Sequence, residues 1–306
     1  MRQRSATMAR GVAALGLALM VSCRAVVQAP LAAEPGEAPT VRFLLTFDDG
    51  PSIKQPFNPT LRIMEQLATN DIQPGIKAIF FVQTGHPRGG GTLQGREMMR
   101  RMHEEGHLLG LHSVSPRGHI DHTQVSTNEL VPSLAGAMEI LRDITGAPPL
   151  FVRPPFGAYN LTTRCLYREL GLHLLMADIP ARDGVIYGYN GSLRRRRHIR
   201  QELEVLYRKA QAPGAALEPV DVVLNFHDVN PYTARHMTEY LHILVEEAHR
   251  VGFQVPVHPF LNSRTAITDV ALCRCVVNPA VSQEIPAMVA AQPVSLTVGS
   301  RPSGSP

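Results

Sequence analysis

The chain has 306 residues, 44% of them hydrophobic and 18% charged, with 24 Gly, 25 Pro and no Trp. This is enough apolar material for one large core, and it excludes a low-complexity or collagen-like chain. The formal charge of +4 falls to +1 without Arg2, Arg4 and Arg10, so bulk charge gives no support for a nucleic-acid partner.

Arg2, Arg4 and Arg10 form a positive leader, and Gly11 to Val21 is an apolar stretch too short to span a bilayer. Met20-Val21-Ser22-Cys23 resembles a bacterial lipobox, in which the cysteine is lipidated and becomes the new N-terminus. Residues 1–23 are therefore expected to direct export, with a lipid at Cys23 as the membrane anchor facing the periplasm or cell exterior. Ordinary cleavage near Ala33 is the alternative and gives a periplasmic or secreted protein. Arg24 to Thr40, rich in Ala, Pro, Glu and Gly, reads as a flexible tether.

A folded domain is expected over residues 41–262. Its apolar runs are Val41–Phe47, Ala78–Val82, Leu108–Leu111, Leu150–Val152, Leu172–Met176, Val220–Phe226 and Phe253–Val255. Between them, Leu61–Leu67, Leu134–Ile144, Leu203–Tyr207 and Met237–Val251 carry apolar residues at helical spacing. Ser126 followed by Glu129 signals a helix start. This alternation predicts parallel strands joined by helices. The simplest arrangement is a closed or nearly closed β/α barrel, with an open doubly wound sheet as the alternative. Arg194-Arg195-Arg196-Arg197 reads as a solvated helix face, or else as a contact for an anionic glycan or lipid head group. No aromatic interleaving or basic face accompanies it, so no nucleic-acid partner is expected. Cys273 and Cys275 lack the spacing of common zinc sites, and a pairing of either with Cys165 stays open. The pattern fades after Leu261, and residues 263–306 read as an extension, largely irregular or disordered.

In parallel β/α folds, reactive groups collect at the C-terminal ends of the strands. Those positions here are Asp48-Asp49-Gly50-Pro51, His112-Ser113, Arg153-Pro154-Pro155-Phe156-Gly157, Asp178 with Asp183, and His227-Asp228. A single such group is commonly a turn or helix cap, but ionisable residues at five strand ends converge on one rim. The Asp48-Asp49 pair has a physical use. One carboxylate can bind a divalent cation while its neighbour acts as a base on water, and the cation relieves their repulsion. Two histidines and a carboxylate suit zinc or another first-row metal and leave a position open.

Thr46-Phe47-Asp48-Asp49-Gly50-Pro51 resembles the first motif of polysaccharide deacetylases (the NodB homology domain, carbohydrate esterase family 4). Ala78–Val82, Glu105–Gly110, Arg153-x-Pro155-Phe156-Gly157 and Leu224–His227 resemble later parts of the family in the same order. The resemblance covers roughly Val41 to Phe260. It implies a distorted (β/α)7-8 barrel and a divalent metal, usually zinc, with cobalt or iron sharing the same ligands. The substrate it implies is an N-acetylated, or O-acetylated, glycan. It also assigns roles: Asp48 as catalytic base, Asp49 and His112 as metal ligands, Arg153 as the residue orienting the base, His227 as the acid and Asp183 as the carboxylate tuning it. Asp178 matches an earlier acidic position of the same motif. Phe156 and Leu224 would wall the substrate pocket, Leu224 facing the acetyl methyl.

The chain departs from the family where the second metal histidine is due, because Pro116 stands there. His119 and His122 are the candidates, with a two-ligand site completed by water as the alternative. Ser126, seven positions after His119, favours His119, with Pro116-Arg117-Gly118 as an insertion. Gly184 replaces a frequent Trp, and Tyr159, Tyr187 and Tyr189 are the available aromatic substitutes. Two other readings remain: an amidohydrolase of the same barrel acting on small amides, and a non-catalytic glycan-binding lipoprotein. The identity of the polymer is left open.

Overall fold

The computed structural model describes residues 38–113, 119–183, 192–214 and 219–276. The leader with Cys23, most of the tether, Pro116 to Gly118, Gly184, Tyr187, Tyr189 and the tail beyond residue 276 lie outside these residues.

Strands β1 (Val41–Asp48), β2 (Ala78–Gln83), β3 (Leu108–Ser113), β4 (Phe151–Val152), β5 (His173–Leu174), β6 (Ile179–Pro180) and β7 (Val220–His227) form one sheet of order β5-β4-β3-β2-β1-β7-β6. Every pairing is parallel. This is chain order wrapped around a curve and broken once, between β5 and β6. A doubly wound sheet reverses its order, so the expected barrel is the arrangement found, as a curled half-barrel. Helices α1 (Pro59–Ala68), α2 (Leu93–Glu104), α3 (Thr127–Thr145), α4 (Leu161–Glu169), α5 (Ser192–Ala210), α6 (Pro231–Arg235) and α7 (Met237–Val251) accompany the strands. Ser126 is the N-cap of α3, as its spacing from Glu129 suggested.

Two strand assignments differ from the sequence reading. Phe253–Val255 contributes only an isolated bridge, Thr40 to Gln254. The seventh strand is instead Ile179–Pro180, too short to register as an apolar run.

Strand parity divides the core in two. Phe43, Leu45, Phe47, Phe80, Val82, Leu111, Leu224 and Phe226 face the helices. Leu44, Ile79, Phe81, Phe151, Leu175 and Val223 face inward, where they meet Ile267, Val270 and Ala271. Those last residues belong to α8 (Arg264–Arg274), inside the stretch expected to be irregular. The Arg274 guanidinium bonds Asp178, and the Val276 N–H donates to the Leu174 carbonyl at 2.9 Å. Both contacts fall between β5 and β6, so the end of α8 occupies the gap in the barrel.

The arginine run is not simply a solvated face. Arg195 is buried, its guanidinium lying 4.6 Å from the Tyr240 ring centroid and paired with Glu239. Arg196 bonds Glu246 and the buried Glu247. These contacts of Arg195 and Arg196 join α5 to α7, while Arg197 is exposed. Cys165, Cys273 and Cys275 carry no disulfide.

Candidate active site

Inward parity brings Asp48 on β1, Gln83 on β2, His112 on β3 and His227 on β7 to the same rim. Asp49 follows Asp48 and by alternation would face the helices. Its φ of 78° turns the chain back, a conformation that Asp tolerates better than most residues. Gly50 must then pass close to Asp228: a Cβ there would lie 2.1 Å from Asp228 Oδ2. Thr60 Oγ1 donates to that same oxygen at 2.7 Å and accepts from the Ser52 N–H at 2.8 Å, fixing the turn from below. Burial pushes the Asp228 carboxyl up to about 7, against the Thr60 hydrogen bond.

Asp49, His112 and His119 present one ligand atom each, all within 4.8 Å of one another. His112 Nε2 lies 3.2 Å from both Asp49 Oδ1 and His119 Nε2, and His119 Nε2 also contacts Asp49 Oδ1. His112 Nδ1 is 2.8 Å from the Arg153 carbonyl oxygen, which can only accept. The proton of the neutral ring is therefore on Nδ1, and Nε2 turns a bare lone pair toward the carboxylate. Two imidazole nitrogens and a carboxylate oxygen so close together fit a divalent cation, and the backbone bond to Nδ1 is the outer support such ligands usually have. Without a cation between them, burial pushes the Asp49 carboxyl up, but hydrogen bonds and positive charge from protonated His112 and His119 outweigh it and hold it well below the usual carboxylate range.

His119 is thus the histidine brought to this cluster. His122 is buried elsewhere, its Nδ1 2.7 Å from the Tyr167 hydroxyl, and burial pushes it down to about 4. The His119 ring also meets Phe156 edge-on, with centroids 5.1 Å apart. Phe156 sits at φ 61° on a short turn after β4 and is 71% exposed, at the mouth of the site.

Arg153 is 2% exposed and lies over the Phe81 ring at 4.3 Å. Its Nη1 donates to Asp48 Oδ1 at 3.0 Å and to Thr46 Oγ1 at 2.6 Å, while Nε donates to the Leu175 carbonyl at 3.0 Å. Asp48 is therefore held at one oxygen, leaving the other for a reacting group. Across the rim, His227 Nδ1 lies 2.7 Å from Asp183 Oδ1, and the His227 N–H donates to Asp183 Oδ2 at 2.8 Å. Burial disfavours the imidazolium, but the hydrogen bond and charge of Asp183, with the charges of Asp48 and Asp49, push His227 up to about 9.

Asp48, Asp49, His112, His119, Arg153, Phe156 and His227 line one cavity of about 500 Å³, with Gly157, Met176, Ala177, Pro180 and Asn225. Asp183 stands behind His227 and is fully buried. Two expected residues lie elsewhere. Leu224 is fully buried against the helices, because it has the opposite parity to His227; Asn225 holds the cavity position instead. Asp178 bonds Arg274 and the Val223 N–H in the barrel gap.

Three supporting residues went unread in the sequence. Gln83 Nε2 donates to Asp49 Oδ1 at 3.1 Å and to the Asp49 carbonyl at 3.3 Å. Alternation from Ile79 and Phe81 would have placed Gln83 on the rim. Thr233 Oγ1 donates to Asp183 Oδ2 at 2.6 Å, and Asn230 donates to the Asp183 carbonyl. Neither carries a local sequence signal.

Residues 36–175 match the family model described as polysaccharide deacetylase. A chitin deacetylase of Arthroderma benhamiae is 31% identical over 140 residues, covering 45% of this chain and 34% of its own. The peptidoglycan-N-acetylglucosamine deacetylase PgdA of Listeria monocytogenes is 32% identical over 142 residues, covering 46% and 26%. This chain thus spans about a third or less of the length of those relatives. The solved chitin deacetylase of Colletotrichum lindemuthianum superposes with a TM-score of 0.54 at 22% identity, covering 75% of this chain and 92% of that one, which supports the barrel fold. Over residues 36–175 the chain thus matches the polysaccharide deacetylase family, and the fold gathers the motif residues of that match on one cavity with His227.

Proposed function

We propose that the protein is a metal-dependent hydrolase that removes N-acetyl groups from an exported or cell-wall glycan, with O-acetyl groups as a secondary substrate. The observation that carries this reading is the convergence of three units on one cavity: Asp48 with Arg153, Asp49 with His112 and His119, and His227 with Asp183. A binding protein on a dead scaffold needs none of these units intact.

Asp49, His112 and His119 would hold the metal, which when bound supplies Lewis-acid polarisation and a lowered water pKa; zinc fits this donor set, as do cobalt and iron. Asp48, steadied by Arg153, takes the proton from the attacking water. A backbone N–H near Phe156 is the proposed donor to the developing oxyanion. His227 then delivers its proton from Nε2 to the nitrogen as the carbon–nitrogen bond breaks, while Asp183 keeps the ring oriented and charged. The products are acetate and the free amine. An amine is a poor leaving group without that proton, so an ester substrate depends less on His227.

Residues 1–23 support a further proposal, that the protein is exported and anchored through lipid at Cys23. Such a location would place the site beside cell-wall or extracellular glycans.

The test is acetate release from a panel of peptidoglycan, chitin, poly-N-acetylglucosamine and acetylated xylan fragments, with and without a chelator. Release from at least one, abolished by chelator and restored by zinc or cobalt, is expected. No metal-dependent release from any of them overturns the reading.

A further inference from the structure

The strand that carries His227 places Asn225 on the same inward face two positions earlier. A two-residue step along a strand is about 6.6 Å, so Asn225 stands one layer below the acid, deeper in the barrel. It lines the cavity there with Arg153, Met176, Ala177 and Pro180. Its neighbour across β1, Thr46, is fully buried and donates its hydroxyl to the Leu224 carbonyl at 2.6 Å. Asn225 itself is partly exposed to the cavity.

The side-chain amide has a fixed sense. Arg153 Nη1 approaches Asn225 Oδ1 at 3.4 Å, and a guanidinium only donates. The oxygen end of the amide therefore faces Arg153, and Nδ2 remains a donor without a partner among the described residues. Leucine, the residue type expected for the acyl wall, would present only methyl groups at this place.

On the deacylase reading, the reacting carbonyl is bracketed by Asp48, by the Asp49–His112–His119 cluster and by His227. The leaving glycan exits through the mouth at the strand ends, so the substituent on the carbonyl carbon points the other way, into the barrel. We infer that Asn225 determines acyl specificity, favouring an acyl group with an oxygen on the carbon next to the carbonyl, of the hydroxyacetyl class, over plain acetyl. This inference rests on the function proposed above. A hydroxyl there accepts a hydrogen bond from Nδ2, whereas a methyl group leaves Nδ2 to water. Met176, Ala177 and Pro180 accommodate the carbon of either group. Because Nδ2 keeps access to water, the preference is that of a single ordinary hydrogen bond, roughly three- to tenfold. The much larger factors of a sealed polar pocket do not apply.

The test uses the full chain with zinc and two chitotetraose substrates, one N-acetylated and one N-hydroxyacetylated, with amine release followed for wild type, Asn225→Leu and Asn225→Ser. The readout is the ratio of kcat/KM for hydroxyacetyl over acetyl. Both values come from the same preparation, so partial misfolding of a variant cancels. The ratio should exceed one in wild type, fall roughly three- to tenfold in Asn225→Leu and fall less in Asn225→Ser, which keeps a hydroxyl. A ratio unchanged or raised in Asn225→Leu overturns the inference while leaving the deacylase reading intact. No amine from either substrate with wild type overturns the inference, and the deacylase reading falls with it only if no glycan of the panel above releases acetate.

Discussion

On one side of the barrel, β1, β2, β3 and β7 run for 8, 6, 6 and 8 residues; on the other, β4, β5 and β6 have 2 residues each. Asp48, Asp49, His112 and His227 stand at the ends of the long strands. Arg153 and Asp183 follow short ones, β4 and β6. Each short-side residue reaches across to a long-side partner, Arg153 to Asp48 and Asp183 to His227. Continuous ladders fix the groups proposed to meet the substrate, while the loosely laddered side supplies their hydrogen-bond partners. Metal binding and proton transfer should therefore fail when the long side is altered. Changes on the short side should shift pH dependence or stability.

The sharpest break in that division is Asp48→Asn, which removes the proposed base and keeps its shape. A loss of roughly 10²–10⁴-fold in kcat is expected, the usual contribution of a proton-transfer group, with metal content unchanged. A loss under tenfold would place the base elsewhere. Gln83→Ala on β2 should weaken metal affinity by roughly 10–100-fold, as loss of an outer support to a ligand does. Calorimetric titration of zinc into the metal-free protein measures it, and wild-type affinity would show that Asp49 needs no help from β2.

On the short side, Asp183→Asn should act through pH. His227 is held up to about 9, above its ordinary value, so its protonated form is favoured in the fold. The stability this contributes is fully present below about 6.5 and is lost as pH rises through 9. Activity that needs the His227 proton falls over the same upper range. Asp183→Asn should move that alkaline fall to lower pH in a kcat profile; an unmoved limb would detach Asp183 from the acid. The smallest effect is expected for Arg274→Ala, which opens the partly exposed pair with Asp178 in the barrel gap. It should cost under about 1 kcal/mol in urea unfolding. A cost several times larger would mean that the short side is held shut by α8.

Much of the site was legible because the rim of a parallel barrel is where a strand stops and a turn begins. Asp48-Asp49, His112, Arg153 and His227 all stand at such breaks. What alternation alone could not show was register inside fully apolar runs. Val222-Val223-Leu224 is apolar on both faces because the strand is covered by helices outside and by α8 inside, so nothing marked Leu224 as outward until it was counted back from His227. The same double covering hid α8, whose weak amphipathic pattern reflects a helix set among inner strands. His119 was separable from His122 only by counting to Ser126, and the fold separates them physically, one at the carboxylate cluster and the other against Tyr167. Thr233 and Asn230 hold Asp183 through a tertiary contact that no local spacing encodes.

The division of labour is tested most directly by measuring zinc content and amine release on the same preparations of wild type, Asp49→Ala and His227→Ala, with an N-acetylated glycan oligomer as substrate. Asp49→Ala should lose both metal and turnover. His227→Ala should keep its metal and lose turnover on the amide. Full metal occupancy in Asp49→Ala, or undiminished amide hydrolysis in His227→Ala, would contradict it.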